Sequence, residues 1–262
     1  MTKWPLLLPT DAIDALAYTG NWPHWPVPGS GETALLKRMD RLGMRGAVLL
    51  SLTTVYSDAL AGNDELAGLV RRHPDHLAGL VTFDPQRPVS PEQIMQQGRD
   101  AGLCGLALFP MHHGYDLGDN PLVEQALSLA ANWDWPVVVP VRLIMSWSLP
   151  ATPLQTILQA ARRHPGARFL VGGSSYGEAD QLLHAMAGLP NLYIETSCNQ
   201  AAGALAEMVI RGDPSRILLG TGQPVQMPEC NLVKLAAGAL DDQARKAILS
   251  TNAARLFNLA LS

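Results

Sequence analysis

A single (β/α)8 barrel is the fold class this sequence predicts, and three observations predict it. Eight short apolar runs alternate with amphipathic, helix-like stretches along the chain. The runs are continuously apolar rather than alternating, as strands covered on both faces require. The length, 262 residues, matches one such barrel, typically about 250 residues. The structural rival, an open doubly wound sheet, wants a Gly-rich phosphate turn after its first strand, and residues 14–20 offer none.

The strands are expected in order at 12–18 (the weakest), 46–51, 77–83, 104–109, 136–141, 167–172, 191–196 and 217–220. Each is short and rich in Leu or β-branched residues. Helices are expected between them. The first, 33–42, reads TALLKRMDRL and has Gly43 as its stop. The next, 64–72, ends at His73-Pro74, and 91–101 carries Pro91 in its first turn, where a missing N–H costs nothing. Helices at 121–132, 152–163, 178–187, 201–210 and 241–256 complete the set. Trp22-Pro23-His24-Trp25-Pro26-Val27-Pro28 makes a rigid aromatic loop after the first strand.

Composition narrows the function. Hydrophobic residues make up 47% of the chain and charged residues 16%, which excludes general disorder. Nineteen Lys plus Arg against 23 Asp plus Glu give a net charge of −4, so a nucleic-acid role is not expected. No apolar run approaches the roughly 18 residues of a membrane span. Leu6-Leu7-Leu8 is too short for a signal core. Cys104, Cys198 and Cys230 are odd in number and far apart, which points to reduced thiols and a cytoplasmic location.

Function in such barrels sits at the carboxyl ends of the strands, and there a resemblance emerges. Ile13-Asp14-Ala15-Leu16-Ala17-Tyr18 stands where one family of barrel hydrolases writes I-D-x-H-x-H. Residues 36–51 resemble that family's first helix and second strand, and 63–66 with Arg72-His73-Pro74-Asp75 its second helix. Residues 102–110 stand at its G-x-x-G-I-K-L-x-P, 217–224 (ILLGTGQP) at its I-L-F-G-S-D-x-P, and 252–256 (NAARL) at its G-N-A-x-R-L. In that order, over nearly the whole chain, the sequence resembles the amidohydrolase-related family, the amidohydrolase-2 branch of metal-dependent barrel hydrolases. The resemblance implies a divalent-metal site. It also implies that this chain lacks one: Leu16 and Tyr18 replace the His pair, Pro140 the strand-5 His, Gly173 the strand-6 His and Gly222 the strand-8 Asp. Leu, Pro and Gly offer no donor, and one phenol cannot make a site that needs three or four ligands. No metal and no cofactor is therefore expected.

The remaining candidates cluster at the predicted strand ends. His112 and His113 are the paired imidazoles, read either as a rebuilt site or general base, or as a His-rich loop. Tyr18 is a candidate acid, and Glu195 a base or an acid with a raised pKa, or a structural carboxylate. Arg142 overhangs the mouth, either to hold a carboxylate with its fork or to pair with Glu195 or Asp14. Ser174, beside Gly172-Gly173, sits in an anion nest or a tight turn. Tyr176, Gln223 and Trp25 are further ligand-contacting positions. Cys198 reads as a small buried thiol. Trp133 and Trp135 are placed at the opposite rim, and the apolar loop 144–148, with Met145 and Trp147, as a lid, a subunit contact or simple packing.

The sequence-level expectation is a degenerate barrel without the metal site. It would be a non-catalytic partner subunit of a metal-competent relative, or a scaffold for a small anionic ligand, as a homo- or hetero-oligomer. The alternative is a metal-independent hydrolase, lactonase or decarboxylase-like enzyme acting on a small carboxylate-bearing substrate, with His112 or His113 as base, Tyr18 as acid and Arg142 as anchor. Geometry separates the two. Convergence of His112, Tyr18 and Arg142 on one cavity favours the enzyme, and a mouth filled by Leu16, Phe109 and Met111 favours the scaffold.

Overall fold

The computed structural model describes residues 11–146, 148–201 and 203–259. The N-terminal Leu6-Leu7-Leu8 and Trp147 of the expected lid loop lie outside the described residues. Parallel strands β1 (Ala12–Thr19), β2 (Met44–Ser51) and β3 (Leu77–Gly79) form one ladder. A second holds β4 (Val81–Thr82), β5 (Leu106–Ala107), β6 (Pro136–Pro140), β7 (Arg168–Gly172), β8 (Leu192–Glu195) and β9 (Ile217–Leu218). β3 and β4 are one apolar run interrupted at Leu80. Across that break Leu80 N–H donates to Leu49 O, and Val81 N–H to Gly105 O. The other seam closes through Ala15 N–H to Leu219 O, Gly222 N–H to Leu16 O and Tyr18 N–H to Gln223 O. The result is the eight-stranded barrel the sequence predicts.

Its interior follows from the two-residue period of a strand. Leu16, Val48, Leu50, Leu80, Phe109, Val138, Leu170 and Leu218 pack on one another inside the barrel. Their neighbours Leu49, Val81, Leu108, Val137, Val139, Phe169, Val171 and Leu219 belong to the core shared with the helices. This double burial explains why the strands read as continuous apolar runs. Trp133 and Trp135 pack edge to face at 5.2 Å, with the Arg99 guanidinium over Trp133.

The helices differ from expectation in three informative places. The second begins at Ala59 rather than 64, because the Asp58 carboxylate caps the Leu60 and Ala61 N–H groups. The last is broken into Asp242–Lys246, a π turn Ala247–Thr251, and Asn252–Leu256. A further helix, Pro228–Ala237, occupies a stretch that reads as loop in the sequence, entered through Pro228 at its first turn. The terminal Asn-Ala-Ala-Arg-Leu now has a reason. The Asn252 amide, 1% exposed, donates to Pro214 O and Ile217 O, both at 2.7 Å, and so pins the last helix to β9. Asn252→Ala leaves both carbonyls unpaired, and urea unfolding is expected to show a loss of about 2–3 kcal/mol with an unchanged m value.

Candidate functional site

Two buried carboxyl groups organise the carboxyl end of the barrel. Asp14, on the irregular part of β1, accepts from Leu16 N–H at 3.2 Å, Thr221 N–H at 2.9 Å and Gln223 Nε2 at 2.9 Å. It also accepts from the Thr221 hydroxyl. Glu195, ending β8, accepts from Gly173 N–H and Ser197 N–H, each at 2.5 Å, and from Ser197 Oγ at 2.8 Å. Both side chains are fully buried. Burial outweighs these hydrogen bonds and pushes the Asp14 pKa up to about 6 and that of Glu195 up to about 7.

The predicted mouth residues do not meet around one cavity. Tyr18 is 1% exposed and its hydroxyl has no partner; burial, with Cys198 and Glu195 nearby, raises its pKa well above the ordinary value. Arg142 pairs with neither Glu195 nor Asp14. Its fork holds Glu178, with Nη2 to Oε1 at 2.6 Å, and Nη1 also donates to Gly173 O at 3.0 Å. Glu178 in turn accepts from Ser175 N–H and Ser175 Oγ at 2.8 Å each. The anion nest read from Gly172-Gly173-Ser174-Ser175 is thus filled by the chain's own Glu195 and Glu178. The Ser174 hydroxyl is buried without a partner, and Gln223 donates its Nε2 to Asp14 while its Oε1 is buried without a partner. Tyr176 is half exposed and donates to Glu207 at 3.1 Å, away from the mouth.

His112 and His113 lie elsewhere, beyond the expected strand 104–109, where the stretch read as a loop forms a helical turn, Pro110–His113. His113 Nε2 meets Thr54 O at 3.0 Å, and its Nδ1 is unpartnered. His112 stands edge-on to Tyr56 at 5.5 Å, and burial pushes its pKa down to about 4, so it is neutral at pH 7. Both line a polar cleft of about 360 Å³ with Asp84 and Arg87. Arg87 is already paired with Asp84 at 3.4 Å and Asp58 at 3.6 Å. Trp25 packs on buried Trp22 at 5.2 Å beside Tyr56 and remains 43% exposed. Leu16, Tyr18 and Phe109 fill the barrel axis, whereas Met111 points out at 46% exposure.

The residues do not fit a metal of the kind the resemblance implies. Among the described residues no group of three His, Cys, Asp or Glu side chains could hold an ion. The backbone also leaves little room for larger side chains at two of these positions. Gly173 has φ +65°, and a Cβ there would lie 1.9 Å from Arg142 O. At Gly222, also left-handed at φ +67°, a Cβ would lie 2.4 Å from Gln226 Nε2. Asp14 spends its oxygens on protein donors.

Beside this filled mouth lies a cleft of about 530 Å³, between the segments that follow β6, β8 and β9. One wall is apolar, with Ile144, Met145, Val225 and Met227; the other carries Ser197, Gln226, Cys230, Asn231 and Lys234. Lys234 is the charged side chain among the described lining residues. Its ammonium donates to Asn199 O at 2.5 Å and Thr196 O at 3.1 Å, which leaves a third proton free. Burial lowers its pKa. The Asn231 carbonyl oxygen is buried without a partner. Lys234, Asn231 and Cys230 sit on the helix absent from the sequence reading. The available signal was Lys234 itself, one of four lysines in the chain, following a predicted strand end.

A family model described as amidohydrolase matches residues 28–259. No curated protein sequence matches the chain. Among solved structures, 5-carboxyvanillate decarboxylase from Sphingomonas paucimobilis superposes with a TM-score of 0.74 at 18% identity, covering 96% of this chain and 100% of the other. A dihydroxybenzoic acid decarboxylase from a Polaromonas species, with bound manganese and 2-nitroresorcinol, gives 0.76 at 14%, covering 95% and 97%. A protein of Acinetobacter baumannii assigned as a 2-pyrone-4,6-dicarboxylic acid hydrolase, with citric acid bound, gives 0.72 at 13%, covering 95% and 100%.

Two measurements check this site. Protein purified without a metal-binding tag and offered Zn²⁺, Mn²⁺ or Fe²⁺ is expected to retain less than about a tenth of an equivalent by elemental analysis. The second concerns pH. Glu195 holds its proton more tightly folded than unfolded, so its contribution is full below about 4.5 and is lost as pH rises through about 7. Urea stability is therefore expected to rise as pH falls from 8 towards 5. Glu195→Gln should remove a share of that slope on the order of 3 kcal/mol.

Proposed function

This chain belongs to the amidohydrolase family, and within it we propose a metal-independent enzyme that acts on a small carboxylate-bearing substrate in the Lys234 cleft. The observation that carries the reading is a free ammonium proton in a cleft whose Ser197 hydroxyl is hydrogen-bonded to a buried acid–base group behind it, Glu195. Lys234 supplies the cation for a carboxylate. The unpartnered Asn231 Oδ1 suits a hydroxyl donor on the same ligand, and the Ile144–Met145 wall an apolar ring. Glu195, with a pKa near the operating range of a general acid or base, reaches the cleft through the Ser197 hydroxyl. The decarboxylases and the assigned hydrolase among its structural neighbours act on, or are named for, ring compounds that carry carboxylates.

The second reading is the non-catalytic barrel, a ligand-binding scaffold or partner subunit of a metal-competent relative. It is favoured by the filled barrel axis at Leu16, Tyr18 and Phe109, and by the full hydrogen-bonding of Asp14. Titration of metal-free protein with benzoate, dihydroxybenzoates and 2-pyrone-4,6-dicarboxylate, followed by product detection by NMR, separates the two. The expected result is saturable binding of the carboxylates with turnover of at least one. Lys234→Gln should weaken binding by about tenfold or more, the worth of one charge-assisted bond, while leaving neutral amide analogues unaffected. Binding without turnover returns the scaffold, and an unchanged affinity in the variant removes Lys234 from the site.

A further inference from the structure

We propose that Ser197 is a nucleophile that accepts an acyl group, which makes the substrate class a carboxylate-bearing ester or lactone. The inference rests on the reading of the Lys234 cleft given above and selects hydrolysis over decarboxylation. Ser197 follows β8 at the carboxyl end of the barrel, where functional groups of this fold are presented. Its side chain has one orientation. The hydroxyl donates to Glu195 Oε1 at 2.8 Å while its own backbone N–H is held by Oε2 at 2.5 Å. A nucleophile hydrogen-bonded to its base, with the base fixed by a third group, is the general arrangement of an activated hydroxyl. The third group here is Gly173 N–H, at 2.5 Å from Oε1.

The base is held by two backbone N–H groups, and its one side-chain partner is Ser197. Glu195 makes no ion pair among the described residues, is shut off from solvent, and faces Gly220, where a Cβ would collide with Oε2 at 1.8 Å. The substrate side is equally defined. Ser197 lines the cleft that Lys234 lines, and the ammonium donates to Thr196 O, the carbonyl immediately before Ser197. A carboxylate held by Lys234 therefore brings the rest of the molecule to the serine. Gln226 lines the same wall, and its amide is engaged by a single contact to Cys198 Sγ at 3.4 Å, so it is available to a developing oxyanion. Cys198 does not line the cleft, so the hydroxyl of Ser197 is the group of this turn that a bound ester meets.

The chemistry balances with water as the co-substrate. Ser197 Oγ bonds to the ester or lactone carbonyl carbon as its proton passes to Glu195. The carbon–oxygen bond to the alcohol then breaks, and the leaving oxygen takes that proton. Water adds to the acyl carbonyl and gives a proton to Glu195. The Oγ–carbon bond breaks and the proton returns to Oγ. The products are a carboxylic acid and an alcohol, joined as one hydroxy acid when a lactone opens.

The test uses the full chain and the mono-4-nitrophenyl ester of glutaric acid, whose free carboxylate matches Lys234. The expected result is a burst of nitrophenolate and one glutaryl adduct, mapped by peptide mass spectrometry to Ser197 in the unmodified sequence. Ser197→Ala should abolish the adduct, and Glu195→Gln should slow its formation at least tenfold. Because the adduct is mapped on the natural chain, a poorly folding variant leaves the main readout intact. An adduct on Cys230, or none, overturns the inference. Benzoate binding is titrated on the same sample: binding that persists without a Ser197 adduct fells the nucleophile alone, and absent binding fells the cleft reading with it.

Discussion

The barrel closes on the Asp14 carboxyl. A parallel barrel is held together between neighbouring strands, and the seam where the last strand meets the first is the one that the chain's termini leave open. Here β9 spans two residues, and the backbone bonds across that seam, from Ala15, Tyr18 and Gly222, are few. Asp14 makes up the difference by gathering donors from the segment after β9, the Thr221 N–H and hydroxyl and the Gln223 amide, onto β1. In metal-dependent barrels an ion can draw strand ends together. In this chain hydrogen bonds to a buried carboxyl do so, at the cost of desolvating a group that would otherwise ionise freely.

Glu195 plays the matching part on the far side, joining the ends of β7 and β8. Arg142 and Glu178 lie outside it, so that the polar groups at that edge are largely spent on one another. Chemistry, if it is to occur near the mouth, has to find a cleft at the side. The helix Pro228–Ala237 and the turn after β8 supply it, and they are the elements through which a fully buried carboxyl reaches solvent by way of one hydroxyl.

Much of the fold was legible because burial on both faces leaves a long apolar imprint in each strand. The break at Leu80 was not, since Leu77 to Val81 is an unbroken run without a polar side chain and only the pairing distinguishes β3 from β4. That Leu16, Pro140, Gly173 and Gly222 bring no side-chain donor to the mouth follows from residue type alone. Partners were harder. Arg142 finds Glu178 on the helix 36 residues on, and the strand-end carboxylates looked nearer only because the strands were read as a row. Lys234 was missed because its helix follows Gln223-Pro224 and Met227-Pro228, a stretch whose prolines read as a loop although Pro228 begins the helix.

Gly173 carries a consequence for how this sequence can change. Its left-handed backbone sits against Arg142 O, so that position has room for hydrogen and for nothing larger. A histidine placed there by a single substitution has no space until the Arg142 segment moves, and that segment is tied to Glu178 and to Gly173 itself. Any side chain at position 173 therefore needs a rearranged Arg142 loop first. Residue 173 acts as a ratchet: the order in which substitutions are made decides whether they are tolerated at all.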